Sequence, residues 1–149
     1  MAKTLILLIW FLLITGVATI TSRLLPFEPT FPYYDTDLAP LYSRLTAVPA
    51  HFDGIHYLRL AYKGYDDEGS QAFFPLYPLL IRSVTSLGLD PIVAGLFINL
   101  AALLGLAAIL SRRVLLFLLS FPTSFFFLTL YTETLFLFLL ALAFKLIQQ

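Results

Sequence analysis

Three long uncharged runs limit what this chain can fold into: Thr4 to Ser22, Pro91 to Ser111, and Val114 to Phe144, the last interrupted only by Glu133. Each of the first two is long enough to cross the roughly 30 Å hydrocarbon layer of a bilayer as one helix. Lys3 precedes the first run and Arg23 follows it. Its apolar part, Leu5 to Ile20, exceeds the usual core of a cleaved signal, and no small-x-small cleavage site follows. A retained membrane helix over about 4–22 is therefore expected. The second run starts at Pro91, suited to a first helical turn, and stops at Arg112-Arg113, so a span over about 91–111 is expected. As one straight helix the third run would be roughly 45 Å long, too long for a single crossing. A hairpin fits better, with arms over about 114–130 and 134–147 and a turn at Tyr131-Thr132-Glu133. Pro122 interrupts the first arm, which polar neighbours such as Ser120, Thr123 and Ser124 make tolerable in a membrane. The rival is one tilted helix beginning near Pro122.

The expected fold class is thus an all-α polytopic membrane protein of about four transmembrane helices. Of the 149 residues, 60% are hydrophobic and only 12% are charged, about half the charged share of a soluble domain. With four spans, Lys3, Arg112, Arg113 and Lys145 fall on one side, which positive-inside bias makes cytoplasmic. All nine acids, from Glu28 to Glu133, fall on the other. The N-terminus is then cytoplasmic and the large loop, residues 23–90, extracytoplasmic. Equal numbers of acids and bases argue against a nucleic-acid partner. The absence of cysteine excludes disulfides, thiol catalysis and cysteine metal sites.

Within the loop, five prolines between Pro26 and Pro49 mark extended and turning chain. A helix is expected from Asp53 to about Lys63. A second, over about 75–87, has its leucines on one side and is too short to span, so it is expected to lie in the interface. The acidic run Asp66-Asp67-Glu68 beside Gly69-Ser70 reads as a solvated turn.

Asp53 carries two readings. As the residue before a helix it is a cap for the first turn; as a carboxylate at a membrane surface it is a general base for a hydroxyl. His56, Arg59 and Lys63 follow at helical spacing, either as a solvated basic stripe or as a cradle for a phosphate. Asp53 and His56 are too few ligands for a metal unless Asp35, Asp37 or Glu133 converge on them, and no metal site is expected. Glu133, an acid between apolar runs, belongs in a turn, a cavity or against a partner. The aromatics Tyr33, Tyr34, Tyr42, Phe73, Phe74 and Tyr77 form an interfacial belt or line a groove for a lipid chain or a sugar.

Phe52-Asp53-Gly54-x-His56-Tyr57-Leu58, Ala61-x-x-Gly64-Tyr65 and Phe73-Phe74-Pro75-x-Tyr77-Pro78-Leu79 together resemble the first luminal loop of the PIG-V-type mannosyltransferases. That family includes the second mannosyltransferase of glycosylphosphatidylinositol (GPI) anchor assembly and its prokaryotic relatives. Phe121-Pro122-Thr123-Ser124-x-Phe126 and Tyr131-Thr132-Glu133-x-Leu135-Phe136 are similar to its next membrane segment. The resemblance runs from about Pro49 to the C-terminus. It implies a GT-C glycosyltransferase that moves a sugar, mannose above all, from a polyprenyl-phosphate donor to a lipid or glycan acceptor, with inversion.

On that resemblance Asp53 is the catalytic base and Glu133 a second catalytic acid. His56, Tyr57, Arg59, Lys63, Phe73, Phe74 and Tyr77 bind substrate. No cofactor beyond the lipid-linked sugar is implied. Many relatives carry Trp where this chain has Phe52. The family has about twice as many spans, so the chain corresponds to an N-terminal portion or a reduced relative whose missing helices a partner subunit supplies. The expected partners are membrane lipid and the lipid-linked donor. The competing function is a non-catalytic membrane subunit that binds lipid or scaffolds a partner.

Overall fold

The computed structural model describes residues 2–26, 29–65 and 69–148, and within them the only regular structure is helical. Helix α1, Ala2–Leu24, carries the first uncharged run. After an irregular stretch comes one π-helical turn, Tyr34–Leu38, then α2 (Arg44–Ala47) running into a 3₁₀ turn, Val48–Ala50. Helix α3 is Asp53–Lys63 and α4 is Leu76–Thr85, between which lies a 3₁₀ turn at Ser70–Ala72. The second uncharged run is α5, Pro91–Ile109. Helix α6, Arg112–Leu119, is followed by a 3₁₀ segment, Pro122–Leu128, and by α7, Glu133–Ile147. The acidic run at residues 66–68 lies outside the described residues.

Two described helices are long and apolar enough to cross a membrane, Lys3–Leu24 and Pro91–Ile109. A third exists if Pro122–Leu128 and Glu133–Ile147, bent by 94°, form one broken span. The molecule is therefore a helical membrane protein with two to three candidate spans, where the sequence led us to expect four. The difference lies in residues 114–130, which do not form one helix. Phe121 is extended (φ −70°, ψ 135°), and Pro122, which has no N–H to continue the α ladder, opens a 3₁₀ segment instead. Arg112–Leu128 and α7 still run as a hairpin. Its tip, residues 129–132, reaches the level of Asn99, roughly 12 Å from the start of α5 at a rise of about 1.5 Å per residue.

Polar contacts fix how the helix ends align. Asp90 caps α5, with Oδ1 accepting from the N–H groups of Ile92 (2.9 Å) and Val93 (3.2 Å). At the other end of α5, Lys3 Nζ donates to the carbonyl of Ala107 at 2.9 Å, a cation on the negative end of the helix dipole. The start of α1 thus meets the end of α5, next to Arg112 and Arg113. Lys145 near the end of α7 lines the same cleft as Ile109 and Leu110. Lys3, Arg112, Arg113 and Lys145 therefore gather at one end of the bundle.

Two apolar clusters hold the elements together. Toward the Lys3 end, Trp10, Leu103, Ala107, Leu115, Leu119 and Phe127 pack α1 against α5, α6 and the 3₁₀ segment. Trp10 Nε1 donates to Ser124 Oγ (3.0 Å), and Ser124 Oγ donates to the Leu119 carbonyl (2.9 Å), so a buried indole and hydroxyl are both satisfied at the helix break. Toward the other end, Leu38, Ile55, Tyr57, Tyr77, Ile81, Ile92 and Leu130 join α3, α4 and α5. Most of the outward face of α1 is exposed leucine, isoleucine and valine, the pattern of a helix solvated by lipid.

Gly95 lets α5 and the hairpin tip approach this closely. A Cβ there would sit 2.9 Å from Leu130 Cγ and 3.2 Å from the Tyr77 hydroxyl. Gly95→Ala is expected to lower stability by about 1–2 kcal/mol, overpacking outweighing the gain in helix propensity. Thermal unfolding in detergent checks it, and a midpoint equal to that of the wild type would contradict the packing.

Candidate active site

The loop segment begins its helix under backbone strain. Phe52, the residue before α3, has φ 51° and ψ −118°, a region that non-glycine residues seldom occupy and that costs about 1–3 kcal/mol. Its surroundings hold it there. Gly54 N–H donates to the His51 carbonyl at 3.1 Å and Asp53 N–H donates to the Tyr131 hydroxyl at 3.4 Å. Gly54 presses on the hairpin tip, where a Cβ would stand 3.2 Å from the Pro49 carbonyl and 3.3 Å from Leu130 Cβ. The N–H of Leu130 donates to the same Pro49 carbonyl at 2.8 Å. The chain before α3 and the tip of the hairpin are thus stitched together.

Asp53 is the first residue of α3 rather than its cap, a position held by Phe52 without a side-chain bond. Its side chain is exposed, and among the described residues its carboxylate accepts no hydrogen bond. Glu133 opens α7, also exposed, two residues after Tyr131, whose hydroxyl accepts from the Asp53 N–H. Both carboxylates act electrostatically on Tyr57. Two acids 80 positions apart in sequence therefore meet where the start of α3 touches the start of α7.

Aromatic groups wall this meeting point. Phe73 lies between His56, on which it stacks (4.9 Å, 17°), and Tyr57, which it meets edge-on (5.2 Å, 85°). Tyr57 also meets Tyr77 edge-on at 5.2 Å, and its hydroxyl is 3.3 Å from Thr132 Oγ1. Burial pushes the Tyr57 hydroxyl above its ordinary range, with smaller contributions from Glu133 and Asp53, so it stays protonated as a donor. Glu133 also lines an apolar cavity of about 240 Å³ with Phe121, Phe126, Phe127 and Phe136.

Of the residues singled out in the sequence, Asp53, His56, Tyr57, Phe73, Tyr77 and Glu133 come together here. Phe74 is exposed and apart from this aromatic group. Arg59 and Lys63 turn to another partner. Arg59 is ion-paired with Asp37 and stacks on the Tyr33 ring, its guanidinium carbon 3.8 Å from the centroid, and Lys63 Nζ lies 3.9 Å from the same carboxylate. No group of three or more potential metal ligands occurs among the described residues.

Three residues that matter to this geometry escaped the sequence reading. Asn99, fully buried on α5, donates from Nδ2 to the carbonyls of Thr129 and Tyr131, the latter at 3.0 Å, and so holds the hairpin tip. It is the lone amide in the run from Pro91 to Ser111, and a polar group at that depth was a readable signal. Tyr131 and Thr132 were legible as turn residues, but their hydroxyl contacts to α3 were not.

His51 stands just before the strained residue, packed against Phe31 (ring centroids 4.9 Å) and Tyr34 (6.0 Å). Burial lowers its pKa from the ordinary 6.5. As pH falls below 6.5, the unfolded chain takes a proton that the folded chain does not yet accept. Stability contributed by neutral His51 is therefore present above that pH and lost as pH drops toward the lowered value. His51→Gln should flatten this acid limb in unfolding measured against pH, and an unchanged limb would contradict it.

Fold and site together define a helical membrane protein with paired carboxylates and an aromatic wall beside its helix ends. The family model described as Mannosyltransferase (PIG-V) matches residues 1–121, and the chain belongs to that family, which is one of glycosyltransferases. The match takes in α1 and the whole Asp53 loop, farther toward the N-terminus than the motifs alone reach. It ends at Phe121, before Glu133. No curated protein and no solved structure matches the chain.

Proposed function

We propose that this protein transfers mannose from a polyprenyl-phosphate donor to a hydroxyl of a lipid or glycan acceptor, with inversion at the sugar carbon. The observation that carries the reading is the docking of the start of α3, with Asp53, on the turn that leads into Glu133, in a member of a mannosyltransferase family. Asp53 takes the proton of the acceptor hydroxyl as its oxygen attacks the anomeric carbon, and the C–O bond to the donor phosphate breaks. The phosphate leaves with the bonding electron pair. His56, one turn along α3, faces that phosphate and steadies its charge. Tyr57 and Glu133 orient the acceptor and Phe73 stacks against sugar or lipid, while Tyr77, fully buried with its hydroxyl on the Gly95 carbonyl, backs Tyr57 instead of touching substrate.

The grouping of Lys3, Arg112, Arg113 and Lys145 at one end supports a cytoplasmic N-terminus with transfer on the opposite, extracytoplasmic or luminal, face. A role in GPI-anchor assembly is one setting for this chemistry, and a partner subunit that contributes further helices is compatible with the exposed apolar face of α1.

The test is transfer of radiolabelled mannose to membrane lipid acceptors by the purified chain in nanodiscs. Label should move from polyprenyl-phosphate mannose and not from a nucleotide-linked mannose. Transfer from the nucleotide sugar instead would overturn the donor assignment.

A further inference from the structure

A cleft of about 410 Å³ opens on the side of α3 away from the acid pair, within the roughly 300–1,000 Å³ typical of small-molecule sites. Its floor is apolar, from Leu38, Leu41, Ile55, Leu58 and Tyr62, and Asp37, Arg59 and Lys63 stand in its wall. Two cations and one carboxylate leave the described lining residues one net positive charge. Asp37 is committed to Arg59, whereas Lys63 touches it only at 3.9 Å and is 48% exposed. The accessible ammonium in this lining is that of Lys63, suited to an anion.

Depth identifies the kind of anion. Tyr42, in the same cleft, donates its hydroxyl to Asp90 Oδ2 at 2.8 Å, and Asp90 caps the first turn of the membrane-spanning α5. The cleft therefore lies at the level where a span ends and lipid headgroups begin. Apolar floor, cationic wall and interfacial depth are the complement of a membrane lipid with an acidic headgroup.

Distance separates Lys63 from the transfer centre. Lys63 is ten residues from Asp53 on one helix, roughly 15 Å along the axis at about 1.5 Å per residue. Base, hydroxyl, sugar carbon and departing phosphate must lie within bonding and hydrogen-bonding reach of each other. A phosphate held at Lys63 is thus not the one expelled beside Asp53.

We propose that the cleft is a second, non-catalytic site that binds an acidic phospholipid, its headgroup on Lys63 and the upper part of its acyl chain against Leu41, Leu58 and Tyr62. The proposal is independent of the reaction assigned to Asp53. It predicts that the full chain, purified in detergent with equal phosphatidylglycerol and phosphatidylcholine and weighed by native mass spectrometry, retains one phosphatidylglycerol in preference. Lys63→Glu should lower that retention about tenfold, by the attraction a basic side chain has for an anionic lipid surface, and Lys63→Arg should preserve it. Tyr62→Ala, at an exposed position, should weaken retention without altering charge.

Asp53→Asn and the remote Arg82→Glu should retain the lipid as the wild type does. Circular dichroism confirms that each variant keeps its helices. The proposal is overturned if folded Lys63→Glu retains phosphatidylglycerol like the wild type, or if phosphatidylcholine is held equally well. Displacement of the lipid by inorganic phosphate would overturn it too, in favour of a free-anion site. If Lys63→Glu does not fold, undiminished retention by Tyr62→Ala overturns it.

Discussion

Asp53→Asn is expected to lower mannosyl transfer about a hundredfold to ten-thousandfold, the range general-base catalysis supplies. The substitution keeps the size and shape of the side chain and removes only its ability to accept a proton. Folding should be unaffected. The side chain is exposed, makes no hydrogen bond among the described residues, and leaves to its backbone N–H the contact with the Tyr131 hydroxyl. Initial rates against donor concentration check it, with the loss in kcat rather than KM, because the proton moves only in the transition state. Activity within a few-fold of the wild type would remove Asp53 from the base position.

Asn99→Leu should produce the largest loss of stability of any single polar substitution discussed, about 2–4 kcal/mol. The new side chain is similar in size but leaves the buried carbonyl of Tyr131 without its donor, at a cost of about 1–3 kcal/mol, and removes one of the two donors to the Thr129 carbonyl, which keeps the N–H of Tyr131. The hairpin tip then loses its anchor on α5, and with it the placement of Tyr131, Thr132 and Glu133 against α3. Transfer should fall even though Asn99 does not line the acid pair. Thermal unfolding and transfer measured on the same preparation check both parts. Intact stability would show that the tip is held by packing at Gly95 and Leu130 alone.

The helices at the two long uncharged runs were legible because twenty apolar residues leave the backbone no alternative in lipid. Asp53 stood out in the sequence as a candidate base because a carboxylate in an aromatic loop at a membrane surface can take a proton from a hydroxyl. The failure at residues 114–130 is instructive. Apolar content alone makes that stretch read as a span, yet Phe121 and Pro122 break it, and Trp10 and Ser124 stabilise the break through a contact 114 positions apart. The redirection of Arg59 to Asp37 was equally hidden, since helical spacing places a side chain on a face and says nothing of what meets it there. Long-range pairs such as Asn99 with the hairpin tip exist only after the elements dock.

The most direct measurement of the central claim is the anomeric configuration of the product made by the purified wild-type chain from polyprenyl-phosphate mannose. One carboxylate acting as base for the acceptor hydroxyl, in a single displacement, predicts a product linkage of configuration opposite to that of the donor. Retained configuration would exclude a single in-line displacement and contradict the assignment of Asp53 as its base.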